Sequence, residues 1–173
     1  MALEINELNF DNINEVKEAA EVLRLAFSQP PWRWRAKPAH YVTRISNYRT
    51  LIEQNGGLAL VAKFKGKIVG MSIGHVYSPG CKTRKIEEKL GTGKHYLAPD
   101  LAVHPDFQRR GIADKLAQRQ LSAATALKCK KIFASTNCEN TRQIALFKKY
   151  RFNEFHQQRQ KDRRVSWFAK QLE

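Results

Sequence analysis

The chain lacks several features that define other classes of protein. No apolar run among its 173 residues approaches the roughly 18 residues that a membrane span requires. Residues 1–10 contain no basic stretch followed by an apolar one, so a secretory signal is not predicted. The only cysteines are Cys81, Cys129 and Cys138, and they show no CxxC spacing. This pattern disfavours a disulfide framework or a metal site and predicts a cytoplasmic protein without a bound metal.

Acidic residues are also scarce. The chain has 16 Asp and Glu against 31 Lys and Arg, a net charge of +15. Such a charge suits nucleic acid, a ribosome, an anionic surface or a phosphorylated ligand, or it belongs to a soluble basic protein with solvated faces. The exception is the segment 1–21, where six acidic residues accompany Lys17 alone. If this acidic helix borders the substrate site, it would attract a cationic acceptor.

The hydrophobic pattern predicts one mixed α/β domain over residues 1–173. Hydrophobic residues make up 42% of the chain, which fits a globular core, and there is no repeat or low-complexity tract. Period-2 and period-3.6 patterns give the order β-α-α-β-β-β-α-β-α-β-β. The predicted elements are Leu3–Leu8, Ile13–Phe27, Ala39–Gln54, Leu58–Phe64, Ile68–Val76, His95–Val103, Gly111–Lys128, Lys131–Thr136, Thr141–Tyr150, Phe152–His156 and Val165–Phe168.

Two predicted helix caps and three connecting segments carry further signals. Asn140 is the predicted cap of the helix that begins at Thr141. Asn12 followed by Glu15 predicts a capping box at the start of the first helix. The loop Pro30–Pro38 contains two tryptophans and three cations, so it could stack on bases, wall an acceptor pocket or pack on the core; we favour the wall or the packing. The polar segment 78–94 is predicted as a loop with a short helical piece at 85–90, and residues 159–164 as a basic turn between the last two strands.

The segment from Gln108 to Ala113 carries the clearest functional signal. A predicted strand ends at Val103, Pro105 turns the chain, and a basic segment leads through Gly111 into a helix. Unbonded N–H groups and a partial positive charge make a helix N-terminus attract anions. Gly111 lets the backbone approach a ligand closely. The residues therefore predict a phosphate or pyrophosphate site, although neither the P-loop nor the GxGxxG pattern is present.

This segment resembles the pyrophosphate-binding motif of the GNAT acetyltransferases. That motif has Gln or Arg, two variable residues, Gly, one variable residue, and Gly or Ala, and the chain matches it in full from Gln108 to Ala113. The family's apolar strand ending in Val-x-Pro is matched at 101–105. Its Asn, placed seven residues before an aromatic and twelve before a Phe, is matched by Asn140, Phe147 and Phe152.

The resemblance implies a GNAT fold and an acetyl-CoA-dependent N-acetyltransferase. The fold has a mixed, mostly antiparallel sheet of six to seven strands with about four helices, and its two central strands separate near Val103. The pantetheine arm of acetyl-CoA then pairs with exposed backbone, and the Val103 N–H stabilises the oxyanion. The implied cofactor-binding residues are Leu101, Ala102, Val103, Gln108, Arg109, Arg110, Gly111, Ile112, Ala113, Asn140 and Phe147.

The proton chemistry departs from the family pattern. Phe147 stands where a Tyr often protonates the leaving thiolate, and Arg151 replaces a Gly before Phe152, so an easy left-handed helix cap is not expected. Tyr150 is the alternative acid, although its position favours core packing. Asp100 is the candidate base, with a structural hydrogen bond as the equal alternative. His75 and His95 are weaker candidates that are expected to be core residues.

The acceptor is not defined by the sequence. A small cationic amine and a protein amine both remain open, and a homodimer is expected only because dimers are common in the family. A non-catalytic module with this fold, binding CoA or nucleic acid, is the second hypothesis, because Phe147 removes the usual acid.

Overall fold

The structure is a computed structural model that describes residues 3–77, 84–160 and 163–173. The predicted order of elements is confirmed in these ranges, with one more helix, α3, at the short helical piece predicted at 85–90. A 3-10 turn at Pro105–Phe107 precedes α4. The elements are β1 Glu4–Glu7, α1 Ile13–Ser28, α2 Pro38–Asn55, β2 Gly57–Phe64, β3 Lys67–Val76, α3 Arg84–Leu90, β4 His95–Val103, α4 Ile112–Ala126, β5 Lys131–Asn137, α5 Thr141–Lys149, β6 Asn153–Gln160 and β7 Arg163–Gln171.

One seven-stranded sheet organises the described residues. Its strand order is β1-β2-β3-β4-β5-β7-β6, and every neighbouring pair is antiparallel except β4 with β5. The predicted fold class, a mixed and mostly antiparallel sheet with flanking helices, is confirmed. The described residues form five α-helices rather than about four.

The helices cover both faces of the sheet because successive strand residues point to opposite sides. In β2, Ala59 and Val61 belong to the core under α1 and α2, whereas Leu60 and Ala62 belong to the core under α4. Phe147 of α5 packs with β5 and β7 residues in a further core cluster that also includes α4. The central strands β3 and β4 are therefore covered by helices on both faces of the sheet.

The start of α1 departs from the predicted capping box. The side chain of Asn12 accepts from the N–H groups of Asn14 and Glu15, as an N-cap should. The Glu15 carboxylate, however, accepts from the N–H of Asn9 rather than from that of Asn12. The reason is that the Asn12 N–H is already bonded to the Asn9 carbonyl.

The C-terminal hairpin also differs from the prediction. Strands β6 and β7 extend through Gln160 and from Arg163, so most of the predicted basic turn 159–164 is strand, and residues 161–162 lie outside the described ranges. Arg151 adopts the left-handed conformation, with φ at 61°, although no glycine is present. The N–H of Phe152 reaches the Phe147 carbonyl, which closes the helix end in the manner of a glycine cap.

Candidate active site

The site begins where β4 and β5 separate. The two strands pair only from His95 to Leu97 of β4, opposite Lys131 to Phe133 of β5. Beyond Leu97, β4 continues to Val103 beside β3, while β5 continues beside β7. The sheet therefore opens between its two parallel strands, as the family resemblance implied.

A β-bulge in β4 accounts for this opening. Ala98 and Pro99 together oppose the single residue Gly74 of β3, because Leu97 pairs with His75 and Asp100 pairs with Ile73. Proline has no N–H to donate, so within a sheet it is confined to edges and bulges. The extra residue bends the strand and shifts the side-chain alternation, which turns Asp100 toward α2.

The backbone of β4 beyond the bulge presents two residues to the opening. The N–H of His104 donates to the Val69 carbonyl on β3. Because such bonds alternate along an antiparallel pair, Ala102 also bonds toward β3, and Leu101 and Val103 direct their N–H and C=O groups away from it. Ala102 also lines the cleft, but its main-chain groups are directed to β3, so we expect the main chain that pairs with a ligand to be that of Leu101 and Val103.

The start of α4 forms the other end of the site. Arg109 and Gly111 both have positive φ, 61° and 75°, so the backbone curls immediately before the helix. The first helical hydrogen bond of α4 runs from the Lys115 N–H to the Gly111 carbonyl. The N–H groups of residues 112–114 therefore have no partners within the helix. A Cβ atom on Gly111 would meet no atom within 4 Å. Anion-binding groups thus surround an open space at the predicted phosphate site.

The side chains of this segment have different roles. The side-chain oxygen of Gln108 accepts a hydrogen bond from Arg142 of α5. The side-chain nitrogen of Gln108 lies 3.5 Å from the Val103 carbonyl oxygen. Ile112 is buried in the core. The Arg110 side chain does not line the cleft, because its guanidinium lies 5.0 Å from the Phe107 ring centroid and bonds to the Asp106 carbonyl, so only its backbone could serve the predicted cofactor role.

Two connected cavities join these features. A wide cleft runs from residues 108–113 past Leu101 and Val103 to the Pro30–Trp34 loop, and a narrower tunnel enters the opening between β4 and β5. Asn140 lines both cavities. Its side chain caps α5 by accepting from the Gln143 N–H and donates to Thr136, so the predicted cap is confirmed. Phe147 lines the tunnel and packs on Phe152 and Phe168.

Asp100 lies at the tunnel wall in a buried ion pair. Its side chain has no exposure, and both carboxylate oxygens accept from Arg44 of α2 at 2.8 Å. The Arg44 guanidinium also lies 5.8–6.0 Å from the ring centroids of Phe27, Trp34 and Tyr48. Burial, with the neighbouring Asp100 carboxylate, raises the pKa of Tyr48 well above its usual range. This geometry favours the structural alternative for Asp100, because its lone pairs already serve a guanidinium.

Tyr150 is the only tyrosine among the described residues that line the two cavities. Its hydroxyl donates to the Asp114 carboxylate at 2.9 Å, and Asp114 also binds Lys149. Burial, with the hydrogen bond to Asp114, raises the pKa of Tyr150. The hydroxyl therefore keeps its proton at neutral pH.

The two histidine candidates are core residues. His75 and His95 are buried, and each ring hydrogen-bonds to a backbone carbonyl, that of Val76 and Gly91 respectively. Burial lowers the pKa of His75. Neither histidine lines the cleft or the tunnel.

The acceptor side of the site is aromatic and basic rather than acidic. Phe27, Trp32 and Trp34 pack on one another and line both cavities, so the predicted wall role of this loop and its packing on the core are combined. The condition under which the acidic segment would attract a cationic acceptor is not met, because none of the six acidic residues of segment 1–21 lines either cavity. Glu15 pairs with Lys63, and Glu21 pairs with Arg24.

Two residues of the site were missed by sequence reasoning. Arg44 lies on the helix face that buries Tyr41 and Ile45, and a cation on an apolar face is the signal that could have indicated a buried partner. Arg163 was predicted to lie in a turn, and its position at the site is shown only by its stacking on Trp34 in the structure. Within the described ranges, no group of three potential metal ligands occurs and no helix is long and apolar enough to cross a membrane.

Comparisons with known proteins show the family and the fold. The model of the acetyltransferase (GNAT) family matches residues 19–152, and the chain therefore belongs to that family. The fold is shared with PH1933 from Pyrococcus horikoshii OT3, with TM-score 0.77, 15% identity and 99% of each chain covered. It is also shared with yncA from Salmonella typhimurium, whose structure contains acetyl-CoA, with TM-score 0.76, 17% identity, and 100% of this chain and 95% of that chain covered. The ribosomal-protein-S18-alanine N-acetyltransferase from Escherichia coli gives TM-score 0.70 and 17% identity, with 97% and 92% covered. No curated protein matched the chain.

Proposed function

We propose that this chain is an acetyl-CoA-dependent N-acetyltransferase that acts as a single domain and acetylates a primary amine by direct attack on the thioester. The observation that carries the proposal is the continuity between the phosphate site at residues 108–113 and the opening beside Leu101 and Val103. A ligand with a pyrophosphate at one end and an amide-rich arm at the other fits both parts. Acetyl-CoA would supply the activated acetyl group.

In this proposal the backbone provides most of the binding chemistry. The free N–H groups of residues 112–114 would hold the pyrophosphate, with Arg109 and Arg142 adding positive charge at the cleft. Leu101 and Val103 would pair with the pantetheine amides as an added strand does. The Val103 N–H would stabilise negative charge on the carbonyl oxygen during attack. Asn140 keeps one amide hydrogen for the pantetheine or a water, because only one of its two is used by Thr136.

The reaction forms an N–C bond, breaks the C–S bond and moves one proton from the amine to the leaving thiol. Tyr150 is proposed as the proton donor, supported by its place in the tunnel lining. To donate, its hydroxyl turns from the Asp114 carboxylate to the leaving thiolate. Asp100 remains the candidate base only if it acts while bound to Arg44, and an ordered water in the tunnel is the competing base that the sequence also allowed.

Several finer expectations stay predictions within this proposal. They are a cytoplasmic location, a homodimer, and contact of the basic surface with a ribosome or nucleic acid. Structural neighbours that are named N-acetyltransferases, at 16–17% identity, support the reaction class. A non-catalytic module binding CoA or nucleic acid is the second candidate, and the position of Phe147 is the observation that favours it.

The test of the proposal is release of free CoA thiol from acetyl-CoA in the presence of a panel of amines, amino acids and basic and acidic peptides. We expect amine-dependent thiol release, with the acetylated product identified by mass. Acetyl-CoA binding without thiol release on any amine would instead support the non-catalytic module, especially if RNA were retained with a steep salt dependence.

Replacing Tyr150 with phenylalanine tests its role as the acid. The ring packing is kept and only the hydroxyl is lost, so we expect kcat to fall by about 100-fold, typical of removing a general acid. The KM for acetyl-CoA should change little. Lys149→Met is a matched control, because it removes another partner of Asp114 without touching the hydroxyl. An unchanged kcat in Tyr150→Phe would assign Tyr150 to packing and leave solvent as the proton donor.

A further inference from the structure

The loop between α1 and α2 meets the start of β7 across the mouth of the tunnel. The loop is held in place by hydrogen bonds from the Trp34 N–H to the Phe27 carbonyl and from the Arg33 N–H to the Gln29 carbonyl. Arg163 lies over it, with its guanidinium carbon 4.6 Å from the Trp34 ring centroid and 5.7 Å from that of Trp32. Stacking on Trp34 fixes the guanidinium plane before any ligand arrives.

Arg163 is a cation with unmet hydrogen-bonding capacity. Its Nε is buried and has no hydrogen-bond partner in the described part of the chain, and no carboxylate of those residues pairs with it. Arg44, the other guanidinium beside Trp34, differs because Asp100 neutralises it. Buried polar groups are normally satisfied, and a guanidinium is best satisfied by a carboxylate or phosphate that accepts two bonds.

The residues around Arg163 add to its uncompensated positive charge. Arg33, Arg159 and Arg164 also line the cleft that Arg163 lines. Among the described lining residues the only carboxylates are those of Asp100, Asp114 and Glu139, and the first two are already paired with Arg44 and with Lys149. The cleft is therefore strongly positive, and it would repel a polyamine or an aminoglycoside.

We infer that the acceptor is an amine that also carries a carboxylate, and that Arg163 binds this carboxylate while the amine enters the tunnel. This inference rests on the proposed N-acetyltransferase function and names its substrate class. Trp34 lines the tunnel together with Asp100 and Leu101, so an anion on Arg163 lies beside the route to the thioester. The carboxylate can belong to a free amino acid or to an acidic residue of a peptide N-terminus.

The experiment compares free acids with their neutral counterparts. The twenty L-amino acids are tested against their amides, and tripeptides with Asp or Glu at the second position against those with Asn or Gln. Thiol release is measured with acetyl-CoA and the full chain. The amine of an amino acid amide is less basic than that of the free acid, so a larger fraction of it is unprotonated and reactive at neutral pH. Intrinsic reactivity therefore favours the amide, and a preference for the acid must come from the site. We expect kcat/KM to be at least about 10-fold higher for the acid of the accepted pair, as one charged hydrogen bond allows.

Variants of Arg163 identify the group responsible. Arg163→Met keeps the length and the contact with Trp34, and should lower kcat/KM for the acid by about 10- to 100-fold while the KM for acetyl-CoA stays within about twofold. Arg163→Lys should recover only part, because it lacks the planar fork. Arg110→Met is the matched control, an arginine that stacks on an aromatic ring but does not line the cleft. Equal use of acids and amides, or an equal loss on both in Arg163→Met, would overturn the inference.

A second readout does not depend on turnover. With CoA present, N-acetyl amino acids and their amides are compared for their effect on the melting temperature. Stabilisation by the acids alone, lost in Arg163→Met, supports the anion site even if the proposed transfer fails. The inference is overturned if the acids do not raise the melting temperature. It is also overturned if the enzyme shows no preference between acids and amides while it retains RNA, and Arg163→Met abolishes that retention.

Discussion

Replacing Gly111 with leucine is expected to weaken acetyl-CoA binding by at least about 100-fold. Gly111 ends the curl before α4, and a Cβ built on it points into open space at the head of the cleft. A leucine side chain would fill this space and keep the pyrophosphate from the free N–H groups of α4. Loss of two charge-assisted hydrogen bonds, each contributing about 1.5–3 kcal/mol, gives this magnitude. Isothermal titration with acetyl-CoA measures it.

The chain offers a matched control for backbone strain. Gly66, in the turn between β2 and β3, has φ at 77° against 75° for Gly111, and its Cβ would also meet no atom within 4 Å. Leucine at either position therefore suffers a similar left-handed strain of about 1–2 kcal/mol. Gly66→Leu should lower the melting temperature by about as much as Gly111→Leu does, and it should leave the affinity for acetyl-CoA unchanged. Equal losses of affinity in both variants would mean that the effect is on folding rather than on a phosphate site.

Replacing Arg44 with methionine is expected to destabilise the fold by about 3 kcal/mol, the lower end of the range for breaking a buried ion pair. The Asp100 carboxylate, which has no exposed surface, would remain buried without its partner. The lower end applies because about a quarter of the Arg44 side chain is exposed. For a chain of this length the melting temperature should fall by about 6–12 °C. Thermal unfolding followed by circular dichroism measures the shift.

A comparison of Asp100→Asn with Arg44→Met separates the structural role of Asp100 from a catalytic one. Asp100→Asn should cost less stability than Arg44→Met, because the partly exposed guanidinium can turn to water. If Asp100 is also the base, the kcat of Asp100→Asn should fall by about 100-fold or more. This fall should be much larger than the fall in kcat of Arg44→Met. Similar kcat values in the two variants would restrict Asp100 to holding Arg44 and Trp34. A melting temperature unaffected by Arg44→Met would contradict the buried ion pair itself.

The sequence predicted the parts of the site that are made by local structure. Gln108 to Ala113 and the capping role of Asn140 depend on a turn and a helix start, which neighbouring residues determine. The predicted bounds of β4 matched because His95 to Val103 is mostly apolar and is followed by His104 and Pro105. The bulge at Pro99 was not predicted, since it depends on the register with Gly74 of β3, a pairing between residues far apart in the sequence.

The acceptor side could not be predicted for a similar reason. Only half of the acidic residues at the N-terminus lie in α1, and their carboxylates bind Lys63, Arg24 and the Ile68 N–H. This orientation is set by the packing of α1 on the sheet. Net charge over a segment does not reveal which face meets the cleft. The contact of Arg163 with Trp34 joins residues that are distant in sequence, so no local pattern announces it.

The most direct measurement is amide hydrogen exchange with and without acetyl-CoA, followed by NMR at single residues. The account predicts that acetyl-CoA slows exchange at Leu101 and Val103, which face the opening, and at Ile112 and Ala113 at the start of α4. Ala102 serves as the internal reference, since its N–H is directed to β3 and should change only as the whole fold does. Protection of Ala102 equal to that of its neighbours, or no protection at these residues under saturating acetyl-CoA, would contradict the proposal that the separated strands and the α4 N-terminus form one acetyl-CoA site.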